Sequence, residues 1–222
     1  MKRVTPRRLA VVVVAAVVLI MPLSGCWNPF APPNGENPDI PVEGFRERTS
    51  PENVLHNFIL AYERMDDVEY LDCLADTFEF WLYPQDVIDD PTLPWSWDKA
   101  EEAAIADAMF GEGTNVDRIT LTLTQHGDAV SIPGANPTDP VSWQHEYETD
   151  LWVFIPSEDL QLWANAGVRF LFSVDPNETA TNGADLWEIA VQHDIVFSGR
   201  IPHDGEGGEQ ISLGQLKARY RD

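Results

Sequence analysis

From Ile119 to Phe197, apolar side chains recur at every second position, and that period confines the chain to long strands. Ile119, Leu121 and Leu123 alternate with Thr120, Thr122 and Thr124. A second run puts Trp143, His145, Tyr147, Leu151, Val153 and Ile155 on one face. Gln144, Glu146, Glu148 and Asp150 take the other. The third places Leu160, Leu162, Ala164, Ala166, Val168, Phe170, Phe172 and Val174 together, before Asp175, Pro176 and Asn177 open a loop ending near Gly183. The fourth aligns Trp187, Ile189, Val191, His193, Ile195 and Phe197. Successive side chains on a strand point to opposite faces, so this alternation predicts an antiparallel sheet with one buried face.

Ahead of the sheet the period is helical. Ser50-Pro51 reads as a hydroxyl cap followed by proline at the first helical position. Val54, Leu55, Phe58, Ala61, Tyr62 and Met65 then form one stripe. Asp67 can cap a second helix with Tyr70, Leu71, Leu74 and Phe78 inward, and Pro84, Pro91 and Pro94 break the next stretch into turns. Ser96 caps a third helix, with Asp98, Glu101 and Glu102 at its positive end and Gly111 stopping it. The expected class is α+β, N-terminal helices packed on one face of a curved antiparallel sheet, within a single domain over residues 49–222.

The first 25 residues read as a targeting signal. Lys2, Arg3, Arg7 and Arg8 precede a continuous apolar run from Leu9 to Met21. That run is short for a membrane span and suits a signal peptide. Leu23-Ser24-Gly25-Cys26 resembles the lipobox of bacterial lipoproteins. The resemblance implies cleavage before Cys26, acylation of its thiol and attachment to the bilayer. It places the protein in the bacterial cell envelope. Trp27, where an Asp would imply retention at the inner membrane, points to the outer one. Residues 26–48, with Pro29, Pro32, Pro33, Pro38 and Pro41, read as a semi-rigid tether.

Without residues 1–25 the chain carries 37 acidic against 10 basic residues, a formal net charge of −27. Such a surface repels nucleic acid, which excludes that partner. Cys73 is the only cysteine besides Cys26 and, among Leu71, Leu74 and Phe78, reads as a buried thiol. His126, His145, His193 and His203 show no ligand spacing, so no metal is expected. The segment starting at Asp175 lacks the glycine and glutamate of a calcium loop. No cofactor motif is present.

The layout resembles the nuclear-transport-factor-2-like (NTF2-like) cone fold, with its SnoaL-like cyclases and ketosteroid isomerases. The likeness rests on element order, on residues 53–66 followed by Val68-Glu69-Tyr70-Leu71, and on the last long strand with Trp187 and Asp194. The closing Leu213-Gly214-Gln215-Leu216-Lys217 resembles a tail found in members of unassigned function. The resemblance implies a cone cavity lined by the inner sheet face. By parity His145, His193, Tyr147, Trp143 and Trp187 line it. No carboxylate falls on that face to orient a histidine, no position matches the isomerase aspartate, and the catalytic residue stays unassigned. On the polar face, Trp152, Phe154, Trp163, Leu171 and Val196 need a cover, supplied by a second copy in a homodimer or by another segment of the chain. Two functions are consistent with these features. One is a non-enzymatic envelope module that binds an apolar small molecule or a partner protein. The other is an acid–base isomerase, dehydratase or cyclase using His145 or His193 with a tyrosine.

Overall fold

Helix α1, Pro51–Arg64, begins where the Ser50 hydroxyl accepts the Asn53 N–H at 3.3 Å, and it ends on Met65 in a left-handed conformation (φ 52°). The computed structural model to which it belongs describes residues 44–133, 142–156, 160–195 and 209–221. Cys26 and its lipobox, most of the tether, Val196, Phe197 and His203 lie outside the described residues. Residues 44–48, the end of the expected tether, are hydrogen-bonded into the domain. Arg46 N–H donates to Asn57 Oδ1 at 2.8 Å, and Arg48 C=O accepts from Trp187 N–H at 2.7 Å.

The second helix is shorter than its periodicity suggests. Helix α2, Asp67–Asp72, is capped by Asp66 rather than Asp67, and strand β1, Leu74–Trp81, follows at once. The spacing of Leu71, Leu74 and Phe78 satisfies a helix, but Leu74, Phe78 and Phe80 also share the buried side of a strand. Sheet pairing decides between the two. Pro84 starts a helix, α3, Pro84–Asp89, instead of breaking one. Ser96 belongs to a short strand, β2, Ser96–Asp98. The cap of helix α4, Lys99–Phe110, is Asp98, whose carboxylate accepts from Glu101 N–H at 3.0 Å. Gly111 ends α4 as expected.

The sheet continues with β3, Arg118–Gln125, β4, Val130–Ile132, β5, Ser142–Ile155, β6, Leu160–Thr179, β7, Asp185–Ile195, and β8, Glu209–Ile211. A short helix, α5, Leu213–Ala218, closes the chain. The order is β2-β1-β7-β6-β5-β3, with β4 on β5 and β8 on β6. The centre is antiparallel, whereas β1 on β7 and β8 on β6 are parallel. The alternation in β3, β5 and β6 is as expected, with Leu151, Val153, Val168 and Phe172 fully buried. The loop expected at Asp175 is instead the end of β6. There β6 takes five steps, Val174 to Thr179, across the register that Trp187 to Asp185 covers in two, so 175–178 bulge out of the ladder.

A second irregularity lies in β7. Leu171 pairs with Val191 but Phe172 pairs with Ile189, so Ala190 is an extra residue. One extra residue inverts the parity of everything beyond it. Trp187 and Ile189 face the core, then Gln192 and Asp194 do. His193 does not.

Candidate functional site

Helices α1, α2 and α4 cover the inner face of the sheet, where the cone cavity is expected. Space remains between Phe58, Tyr62, Leu151, Phe170 and Gln192, but it measures about 10 Å³. That is the size of one water molecule. It faces Thr149 Oγ1 and Gln192 Oε1, two buried atoms without a hydrogen-bond partner. Rings pack beside it: Tyr62 and Tyr70 contact each other, Phe58 and Phe110 at centroid distances of 5.1–5.5 Å.

Behind these rings lies a buried ion pair. Lys217 Nζ is 2.6 Å from Glu102 Oε1, and their side chains are 0% and 1% exposed. The same ammonium donates to Tyr70 Oη at 3.1 Å and lies 4.5 Å above the Phe80 ring. Glu102 also accepts from the Tyr70 hydroxyl and, at 2.5 Å, from Trp97 Nε1. Lys217 reaches this point because α5 docks on the core. Its Ser212–Gln215 capping box fixes its start, and Gly214 N–H donates to Asp194 Oδ2 at 3.0 Å. A Cβ on Gly214 would lie 3.0 Å from Leu82 Cγ, so a larger residue there requires the Leu82 side chain to give way.

Of the five expected cavity residues, four stay on the inner side. His145 Nδ1 and Tyr147 Oη are hydrogen-bonded at 2.9 Å, and each residue is 6% exposed. Burial lowers the imidazole's affinity for a proton, with Glu52 opposing it weakly, and burial pushes the Tyr147 hydroxyl up to about 12. Both groups are thereby held neutral. Trp143 and Trp187 are partly buried against the core. His193 is the exception. The Ala190 bulge turns it to the outer face, opposite Arg169 and stacked on Trp81 at 5.9 Å. The inner face therefore does hold a carboxylate, Asp194, 4% exposed, contrary to the parity reading. A bond to α5 occupies it.

This packing makes His145 a structural residue. Replacement by alanine leaves the Tyr147 hydroxyl without its partner, and the expected cost is about 1–3 kcal/mol. A thermal melt reads it. A melting temperature unchanged from wild type would show instead that the ring contributes nothing to the core.

On the outer face, Trp152 and Trp163 pair across β5 and β6 and stack at 5.4 Å. Trp163 donates to Asp150 and is only 7% exposed within one chain, while the Arg118 guanidinium covers Phe154 at 4.2 Å. Much of the expected patch is thus covered by its own chain. Cys73 is buried as expected, with its thiol pushed up by burial and directed at Val54 C=O.

Sequence parity does not reveal one further feature, an open polar cleft of about 310 Å³. It lies where both neighbours of β7 leave the ladder. On one side are residues 175–178 of β6. On the other, β1 takes five steps, Leu74 to Glu79, against the two steps from Ile189 to Val191. Glu188 sits between the two bulges. Its alternation correctly marks it as facing away from Trp187 and Ile189, but the strand irregularities that surround it have no sequence signature.

No family model matches this sequence, and no curated protein matches it. Solved structures do. An NTF2-like superfamily protein from Salmonella enterica serovar Typhimurium matches with a TM-score of 0.42 at 12% identity, over 69% of this chain and 92% of that one. An NTF2-like protein with a cystatin-like fold from Novosphingobium aromaticivorans gives 0.38 at 10% identity, over 66% and 79%. ActVI-ORFA from Streptomyces coelicolor gives 0.40 at 8% identity, over 64% and 91%. The structural neighbours are NTF2-like proteins.

Proposed function

We propose that this chain is an envelope lipoprotein whose folded domain is a non-enzymatic binding module, held off the membrane by the proline-rich segment and anchored through acylated Cys26. The observation that carries the binding reading is the filled interior. A cone enzyme needs room for substrate, and among the described residues the space between Phe58, Tyr62, Phe170 and Gln192 on the inner face is about 10 Å³. His145 and Tyr147, the named acid–base pair, bond to each other at 2.9 Å and are held neutral by burial. An apolar ligand in the cone fits that volume no better than a substrate does. The binding surface therefore belongs on the outside of the domain. The lipobox and the basic, then apolar, leader support the address. The charge of −27 beyond residue 25 keeps the domain clear of anionic headgroups.

Anchoring is tested in a bacterial host expressing the full chain with labelled palmitate. Wild type is expected to take up label, and Cys26→Ser to lose it completely and accumulate as precursor or shed protein. Label on Cys26→Ser at the wild-type level overturns the assignment.

A further inference from the structure

The cleft around Glu188 is built from charges that are mostly engaged. Arg48, 8% exposed at its side chain, pairs with Asp72 at 3.1 Å and donates to Trp187 C=O at 3.2 Å. Lys99 donates to Leu74 C=O at 2.7 Å and lies 3.4 Å from Asp76. Asp175 accepts from the Asn177 N–H at 2.7 Å. Glu188 differs. It is only 9% exposed and lines the cleft, and no hydrogen bond or ion pair among the described residues reaches its carboxylate. A buried carboxylate without a donor is costly and is the kind of group a ligand completes.

We infer that this cleft binds a small organic cation, which seats an ammonium or guanidinium group on the Glu188 carboxylate between the two bulged strands. The inference rests on the reading of the domain as a binding module and names the chemistry of its ligand. The walls carry five carboxylates, Asp72, Asp76, Asp175, Glu178 and Glu188, against Arg48 and Lys99. Both cations already have partners, so an anionic ligand meets a net excess of carboxylates. A divalent metal needs several ligands converging on one point, and no group of three or more His, Cys, Asp or Glu among the described residues offers that. An ammonium needs one carboxylate and has three donors to share with the polar walls. About 310 Å³ accommodates a small molecule rather than a bare ion.

Burial, then Asp175 and Asp76, pushes Glu188 up to about 7, while Arg48 and Lys99 act the other way. A bound cation requires the ionised carboxylate, so affinity should rise with pH across neutrality. The probe is 1,4-diaminobutane, titrated calorimetrically into the full chain at low ionic strength, with neutral 1,4-butanediol as its isostere. Binding should tighten about tenfold between pH 6 and pH 8, as the ionised fraction of a group titrating near 7 grows. Glu188→Gln should weaken it at least tenfold at pH 8. Glu112→Gln, which removes the same charge from an exposed site elsewhere, should leave it unchanged and so separates the cleft from diffuse attraction. Equal binding by wild type and Glu188→Gln, equal binding of the diol, or no binding at pH 8 overturns the inference. None of these outcomes bears on the palmitate result, so the address and the ligand fail separately.

Discussion

Replacing Glu102 by leucine should cost the domain about 5 kcal/mol, and replacing Lys217 by methionine about 3 kcal/mol. Removal of one partner from a buried pair leaves a charge in a medium that cannot solvate it. The two halves are not equivalent here. Without Glu102, the ammonium, the Tyr70 hydroxyl and the Trp97 N–H all lose an acceptor at once. Without Lys217, the carboxylate still accepts from Tyr70 and Trp97, and only the charge is uncompensated. Against a typical total of 5–15 kcal/mol, the first change approaches global unfolding. Urea denaturation measures both, as shifts of the midpoint at constant slope. A Lys217→Met variant within about 1 kcal/mol of wild type would mean the pair is no net asset. The pH dependence has a definite sign. Burial alone, the largest influence, would lower the Lys217 ammonium, but Glu102 and the Tyr62 hydroxyl together outweigh it and hold the group above its usual 10.5. The stabilisation is therefore fully present below that value and is lost only as pH climbs through the still higher folded-state value. The gap between wild type and Lys217→Met should stay constant from pH 6 to 9 and close in alkali.

Glu188→Gln should act in the opposite direction. The carboxylate titrates near 7 in the fold against 4.5 ordinarily, because burial and then Asp175 oppose its charge. Between those values the folded protein holds a proton that the unfolded chain has released. Wild-type stability therefore falls from pH 4.5 to 7 and stays reduced above it. Glutamine carries no such penalty. The variant should match wild type near pH 4 and exceed it by about 1–3 kcal/mol at pH 8, a range discounted for solvent screening at the cleft mouth. Parallel urea titrations at the two pH values measure the gap, and equal stabilities at pH 8 would show that the carboxylate is solvated like a surface group. A residue that lowers stability and borders an open cleft is the pattern expected where binding opposes stability.

The strands that alternate without interruption were legible residue by residue. In β3, β5 and β6 as far as Phe172, parity sorts Ile119, Leu151, Val168 and Phe172 to the core, because β5 pairs regularly with both neighbours there and one slip would expose the whole apolar set. Ser50-Pro51 and Gly111 likewise mark helix ends by local chemistry that acts wherever the chain is. His193 was misplaced because the extra residue at Ala190 is a property of pairing with β6 and is invisible in β7 alone. The strand at Leu74 reads as helix because the spacing of four from Leu74 to Phe78 fits both periods. Lys217 was overlooked because a lysine on a six-residue helix reads as a solvated charge. Its partner Glu102, near the start of α4, reads as a dipole-stabilising acid. Glu188 alternates with Trp187 and Ile189 and so faces outward, but its surroundings come from bulges in two other strands.

The Lys217–Glu102 contact joins residues 115 positions apart. A chain made or exported from its N-terminus exposes Glu102, Tyr70 and Trp97 long before the ammonium that completes them exists. Until α5 arrives, the helices can collapse on the sheet only around an uncompensated carboxylate or a protonated one. Completion of this core is therefore a late event, ordered by synthesis rather than by local preference. A partly emerged chain stays unfinished, and so accessible to chaperones and proteases, until its last helix is delivered.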